Sequence, residues 1–180
     1  MKAPVRITIS LDSETAALFE KLRKETKLSQ SGVFRRALRF YSENRKLIDE
    51  YGSERIKIYV DMLASGEHII LDVDHFLLFL KLIESSPDKD KFWEDHLRVA
   101  KSHAEQLPSK VPTAEELLKR LEACNFFKIN KVSEEEFTLV LYSDLTKKFI
   151  KTFLEVVLSR MGYNVEIKED FAKLRVKVSR

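Results

Sequence analysis

A single alternating segment followed at once by two helices constrains this chain more than any other feature. In VRITISLD (residues 5–12), Val5, Ile7, Ile9 and Leu11 fall on one face and Arg6, Thr8 and Ser10 on the other. That is the period-two signature of a strand buried on one side. Asp12 then supplies a helix N-cap with Glu14 in the first turn, and Ala17, Leu18 and Leu22 recur at helical spacing through 13–25. After the turn TKLS, Ser29 caps a second helix over 30–44. Its apolar stripe is Val33, Phe34, Ala37, Leu38 and Tyr41, with Arg35, Arg36 and Arg39 off the stripe. One strand cannot satisfy its own ladder, and two short helices have too little to cover. The economical solution is an intertwined dimer. Two copies of the strand pair antiparallel, four helices close over them, and Arg6, Thr8 and Ser10 of both chains form one polar ribbon face. Such a ribbon fits the major groove of double-stranded DNA, where Arg grips guanine O6/N7 and Thr or Ser bonds donors or acceptors.

With its alternating strand, its LD-x-E entry to helix one, its LSQS entry to helix two and the R-x-A-L continuation within that helix, RITISLDSETAALFEKLRKETKLSQSGVFRRALRFY resembles the ribbon–helix–helix transcriptional regulators, the Arc, methionine-repressor and CopG-like superfamily. The resemblance covers roughly residues 4–44. It implies that Arg6, Thr8 and Ser10 read bases. It also implies that the start of helix two, at Ser29, Gln30 and Ser31, holds a DNA phosphate through backbone N–H groups, as free donors and the helix dipole favour. Lys27 and Arg35 are expected to touch phosphates beside it. Two positions differ from the common pattern: Lys27 stands where Gly is frequent, and Gly32 where Glu is frequent.

The charge distribution fits this division of labour. Residues 1–46 carry 11 Lys/Arg against 5 Asp/Glu, a net +6, and the remaining 134 carry 21 against 24, a net −3. A basic head on a mildly acidic body points to a polyanion partner for the head alone. No apolar run reaches the roughly 20 residues of a membrane span, and MKAPVRITIS lacks the apolar core of a secretory signal. One cysteine, Cys124, makes no intrachain disulfide. A soluble, cytoplasmic protein is expected. The 34% charged content with few Gln and Asn leans towards a thermophilic or archaeal source.

The domain boundary is expected within 45–54, giving a DNA-binding and dimerisation domain at 1–46 and a larger α+β domain at 47–180. The stretch 46–64 is helical, with Gly52 as a break. HIILDV (68–73) reads as a short buried strand, and Asp72 or Asp74 opens the next helix. KDKFWEDHLRVAKSHAEQL is helical, and Thr113 with Glu116 has capping-box spacing before a helix at 114–123. NFFKINKV and EFTLVLYS are strands around an SEEE turn. Asp144 caps a long amphipathic helix that stops at Gly162, and YNVEIKE and AKLRVKV are two more strands. Hairpin, helix, hairpin implies an antiparallel sheet with a helix packed on it, an α+β arrangement. This last part is faintly similar to the vinyl-reductase-like and haem–nitric-oxide-type sensor domains.

His96 and His103 share a helix face two turns apart and are the weak metal candidates, with His68 and His75 at the same spacing upstream. No cofactor is expected; a metal or a small-molecule effector is the open alternative. No catalytic motif is present, neither G-x-S-x-G, a P-loop, G-x-G-x-x-G nor H-E-x-x-H, and no enzyme is expected. The reading is a sequence-specific repressor or other regulator, a homodimer or a tetramer, whose C-terminal domain senses a ligand or mediates oligomerisation. The alternative is an antitoxin-type DNA-binding protein whose C-terminal part binds a partner protein.

Overall fold

The computed structural model describes residues 5–66 and 68–180. The chain divides into two compact units, one ending at Ile56 and the other running from Lys57 to Arg180. The division falls just beyond Gly52.

The first unit holds α1 (Ser13–Thr26) and the leading part of α2 (Gln30–Ala64). Asp12 caps α1, its Oδ1 accepting from Thr15 N–H at 2.7 Å. Lys27 closes it in the left-handed region at φ 55, its N–H donating to Arg23 O at 2.9 Å. The position where Gly is frequent therefore does make the glycine-like turn, with lysine bearing the strain of a positive φ. Phe19 and Phe34 stack at 5.0 Å and tie the two helices. Residues 5–12 are not in a strand within the single chain, and no strand among the described residues pairs with them. Val5, Ile7 and Ile9 are 86%, 76% and 51% exposed. Gly52 interrupts α2 at φ 72, ψ 151, which makes it two helical stretches in sequence, as the glycine suggests.

The second unit adds α3 (Val73–Ser85), α4 (Lys89–Gln106), α5 (Ala114–Ala123), β1 (Phe127–Lys131), β2 (Glu136–Leu141), α6 (Lys147–Arg160), β3 (Asn164–Asp170) and β4 (Lys173–Ser179). The four strands form one antiparallel sheet in the order β1-β2-β4-β3. Alternation sorts its faces. Phe127, Phe137, Leu139, Leu141, Leu174, Val176 and Val178 point inward and are buried, against Ile150, Leu154, Val157 and Leu158 of α6 and Leu117 and Leu118 of α5. Register reinforces this, with Phe137 opposite Val176 and Leu139 opposite Leu174. The outer face is charged and pairs across strands, as in Lys177 with Glu136 at 3.2 Å. The chain is therefore α+β, with the expected hairpin–helix–hairpin.

Local chemistry fixes the helix ends. Thr113 and Glu116 form a complete capping box at α5, and Gly162 follows α6 at φ 87. Two expectations are corrected. Residues 68–72 form no strand, and Ile69 and Ile70 are 85% and 86% exposed. These residues are used up in linking the turn at Gly66 to the Asp72 cap, so the apolar run meets no strand. Asp144 does not cap the long helix: Ser143 accepts from Leu145 N–H at 3.3 Å and starts a short 3-10 turn at Asp144–Thr146 that leads into α6. Asp144 instead pairs with Lys147 at 2.9 Å. No described helix is long and apolar enough to cross a membrane.

Candidate nucleic-acid interface

Arg6, Thr8 and Ser10 are all exposed on the segment before α1. They alternate with Val5, Ile7 and Ile9, so any extended conformation that hides the apolar set presents the polar set together. Hydrogen bonds from Thr15, backbone first, hold the Asp12 carboxyl below its ordinary range and keep this cap ionised. The same cap fixes where the extended segment ends and the helix begins.

The turn between α1 and α2 builds the second element. Ser29 stands just before α2, and its Oγ accepts from Gly32 N–H at 3.2 Å while its carbonyl accepts from Val33 N–H at 3.0 Å. The N–H groups of Gln30 and Ser31 make no hydrogen bond among the described residues, which leaves two donors at a positive helix end. A Cβ at Gly32 would lie 3.2 Å from Ser29 Oγ and 3.4 Å from Leu28 Cβ. Glycine at this position leaves the Ser29 cap uncrowded, though the Thr113–Glu116 box shows that Glu is also compatible with a hydroxyl cap.

The basic residues sort into two sets. Arg23 pairs with Glu20 at 2.8 Å, Lys21 with Glu25 at 3.9 Å and Arg45 with Asp49 at 3.2 Å. Arg6, Lys27, Arg35, Arg36 and Arg39 are exposed and form no ion pair among the described residues. Lys21 and Arg23 are cancelled by partners within residues 1–46 and Arg45 by Asp49 just beyond, so most of the head's uncompensated positive charge sits on cations open to a polyanion.

The helices leave much apolar surface uncovered in the single chain. Leu18, Leu22, Leu38, Phe40 and Tyr41 are exposed, and from Val5 to Ile56 only Val33 is buried. A unit that buries one apolar side chain gains far too little to offset chain entropy on its own.

The histidines belong to the other unit. His96 is buried in α4, donates through Nε2 to Phe149 O at 2.9 Å and stacks on the Phe149 ring at 4.1 Å. Burial pushes its pKa below the ordinary 6.5, while the bond to the Phe149 carbonyl acts the other way. His103 meets the Phe153 ring edge-on at 5.8 Å. His68, His96 and His103 line one cavity, whereas His75 lies exposed beside Asp72. Among the described residues no group of three or more His, Cys, Asp or Glu is placed to hold a metal ion. Sequence spacing paired His96 with His103, but it gave no sign of Met62, His68 and Arg120 joining them, because these come from three separate segments.

Residues 5–45 match the family model of ribbon-helix-helix proteins, copG family. The N-terminal stretch is therefore a ribbon-helix-helix region, covering 41 of the 180 residues. The match supports a DNA-binding transcriptional regulator or antitoxin in general, from a family that binds DNA, forms dimers and is not enzymatic. No curated protein and no solved structure is detectably similar to the chain.

Proposed function

We propose that this protein is a dimeric, sequence-specific DNA-binding regulator that reads the major groove through a two-stranded ribbon, with a C-terminal unit that senses a ligand or mediates oligomerisation. The observation that carries this reading is the combination at residues 5–12. The apolar set lies exposed in one chain, the polar set alternates with it, and the region matches a family of DNA-binding dimers. Pairing two copies buries Val5, Ile7 and Ile9 and turns Arg6, Thr8 and Ser10 towards the bases. Ser29, Gln30 and Ser31 then hold a phosphate through backbone N–H groups, with Lys27 and Arg35 adding charge beside it. Affinity falls steeply with salt, because each neutralised phosphate releases counterions.

The test begins with a duplex selected by the protein from a random pool. Fluorescence anisotropy then compares it with an unrelated duplex at fixed salt. Arg6→Ala is expected to lose about 1–3 kcal/mol on the selected duplex and to leave the unrelated one nearly unchanged. Equal weakening on both would make Arg6 a phosphate contact and remove it as a reader. A protein that binds neither duplex at low salt is not a DNA-binding regulator.

The antitoxin-type reading draws support from the exposed run Ile69–Leu71 and from Leu78, Phe79 and Leu82 of α3, apolar surface that a partner protein would cover. Stable 1:1 co-elution with the product of an adjacent gene would select it.

A further inference from the structure

We propose that the cavity in the C-terminal unit binds a small amphipathic carboxylate, with an apolar body of about eight carbons held among aromatic and aliphatic side chains and its carboxylate on Arg120. The inference gives a ligand class to the sensing role proposed above and rests on that reading for its biological meaning.

The cavity has a volume of about 210 Å³. A dry cavity of about 150 Å³ is enough for benzene, so a single ring or a short chain fits with room for a head group. Its walls are mostly apolar and include Leu107, Leu117, Phe126, Phe149 and Phe153. Pockets of this kind gain affinity from the apolar walls and specificity from a few polar groups. The fixed charge here is Arg120, half-buried on α5 and a lining residue of the cavity. Its neighbour Lys119 pairs with Glu115 at 3.2 Å, yet the Arg120 side chain has no hydrogen bond or ion pair among the described residues. A guanidinium always carries its charge and offers a planar fork that matches a carboxylate. An unpaired cation on an apolar cavity selects against cationic ligands and in favour of a single anionic head. His96, on the same wall, is buried, and burial disfavours a competing charge there.

Isothermal titration of the full chain with sodium octanoate tests this, with 1-octanol as the neutral analogue of equal chain length. The expected result is saturable binding at one site per chain, with octanol about tenfold to a hundredfold weaker, the factor a charge-assisted pair contributes. Arg120→Met should bring octanoate down to the octanol level, while Arg120→Lys, which keeps the charge without the fork, should fall between. Absence of saturable octanoate binding, equal affinity for octanoate and octanol, or unchanged octanoate affinity in folded Arg120→Met would each overturn the proposal. Anisotropy on DNA, measured separately, reports on the regulator reading. Loss of DNA binding with octanoate binding intact would sink that reading and leave this site standing.

Discussion

Between Val5 and Ile56 a single apolar side chain, Val33, is buried, whereas from Met62 to Val178 the buried set runs from the end of α2 through α3, α4, α5 and α6 and across the inner face of a sheet. Both stretches carry strong periodic patterns, so the difference does not lie in local sequence quality. It lies in what each pattern is complementary to. The C-terminal strands and α6 present faces that fit one another within the same chain. The N-terminal segment and its helices leave their apolar faces uncovered in one chain, and the proposed dimer would cover them with a second copy. The lesson is that an apolar pattern specifies a burial requirement, and that topology decides whether one chain can meet it.

The comparison can be broken most decisively at Ile7. Ile7→Lys puts a charge into the paired ribbon twice per dimer and removes about 1.5–3 kcal/mol of apolar burial per copy. The dimer dissociation constant should rise at least a hundredfold in sedimentation equilibrium, while the sheet signature in circular dichroism persists. A variant that remains a tight dimer would mean that the N-terminal pattern is not the dimer's core.

Leu154→Ala tests the other side. Leu154 is fully buried between α6 and the sheet, and its truncation should cost about 2–5 kcal/mol in urea denaturation of the C-terminal unit. Dimer dissociation should move far less, because no N-terminal side chain is lost.

A smaller effect comes with acid. His96 has a pKa pushed below 6.5 by burial, so the unfolded chain takes up a proton first as pH falls. Stability of the C-terminal unit should be fully present above about 6.5 and should decline between there and the lowered folded value. Replacing His96 by Gln should flatten that part of the profile. Stability equal at pH 7 and 5 in the unsubstituted protein would remove His96 as its source. The smallest change is Lys27→Gly. It relieves a left-handed lysine at φ 55 but adds chain entropy to the unfolded state, for a net gain under about 1 kcal/mol in the melting of the N-terminal unit.

Much of this architecture was legible in the sequence, because its determinants are local. The caps at Asp12 and Thr113, the stop at Gly162, the break at Gly52 and the four alternating strands all declare themselves within a few residues. The exposed run at Ile69 and Ile70 did not, since a short continuous apolar run looks the same whether a neighbour covers it or not. Ser143 hid behind Asp144 because adjacent capping residues are chemically alike and only the 3-10 turn chooses between them. Alternation singles out Arg6, Thr8 and Ser10 as candidate base readers, and all three are exposed on the segment before α1. The cavity could not, because Met62, His96, Arg120 and Phe153 meet only after α2, α4, α5 and α6 have packed.

The break at Gly52 has a mechanical consequence. About 33 Å of helix separates Gln30 from Gly52 at 1.5 Å per residue, and about 18 Å more runs on to Ala64. An unbroken helix of that length would behave as a shaft and pass axial twist from end to end. A residue at φ 72, ψ 151 divides that shaft into two rods, so no continuous ladder of helical hydrogen bonds runs from Gln30 to Ala64.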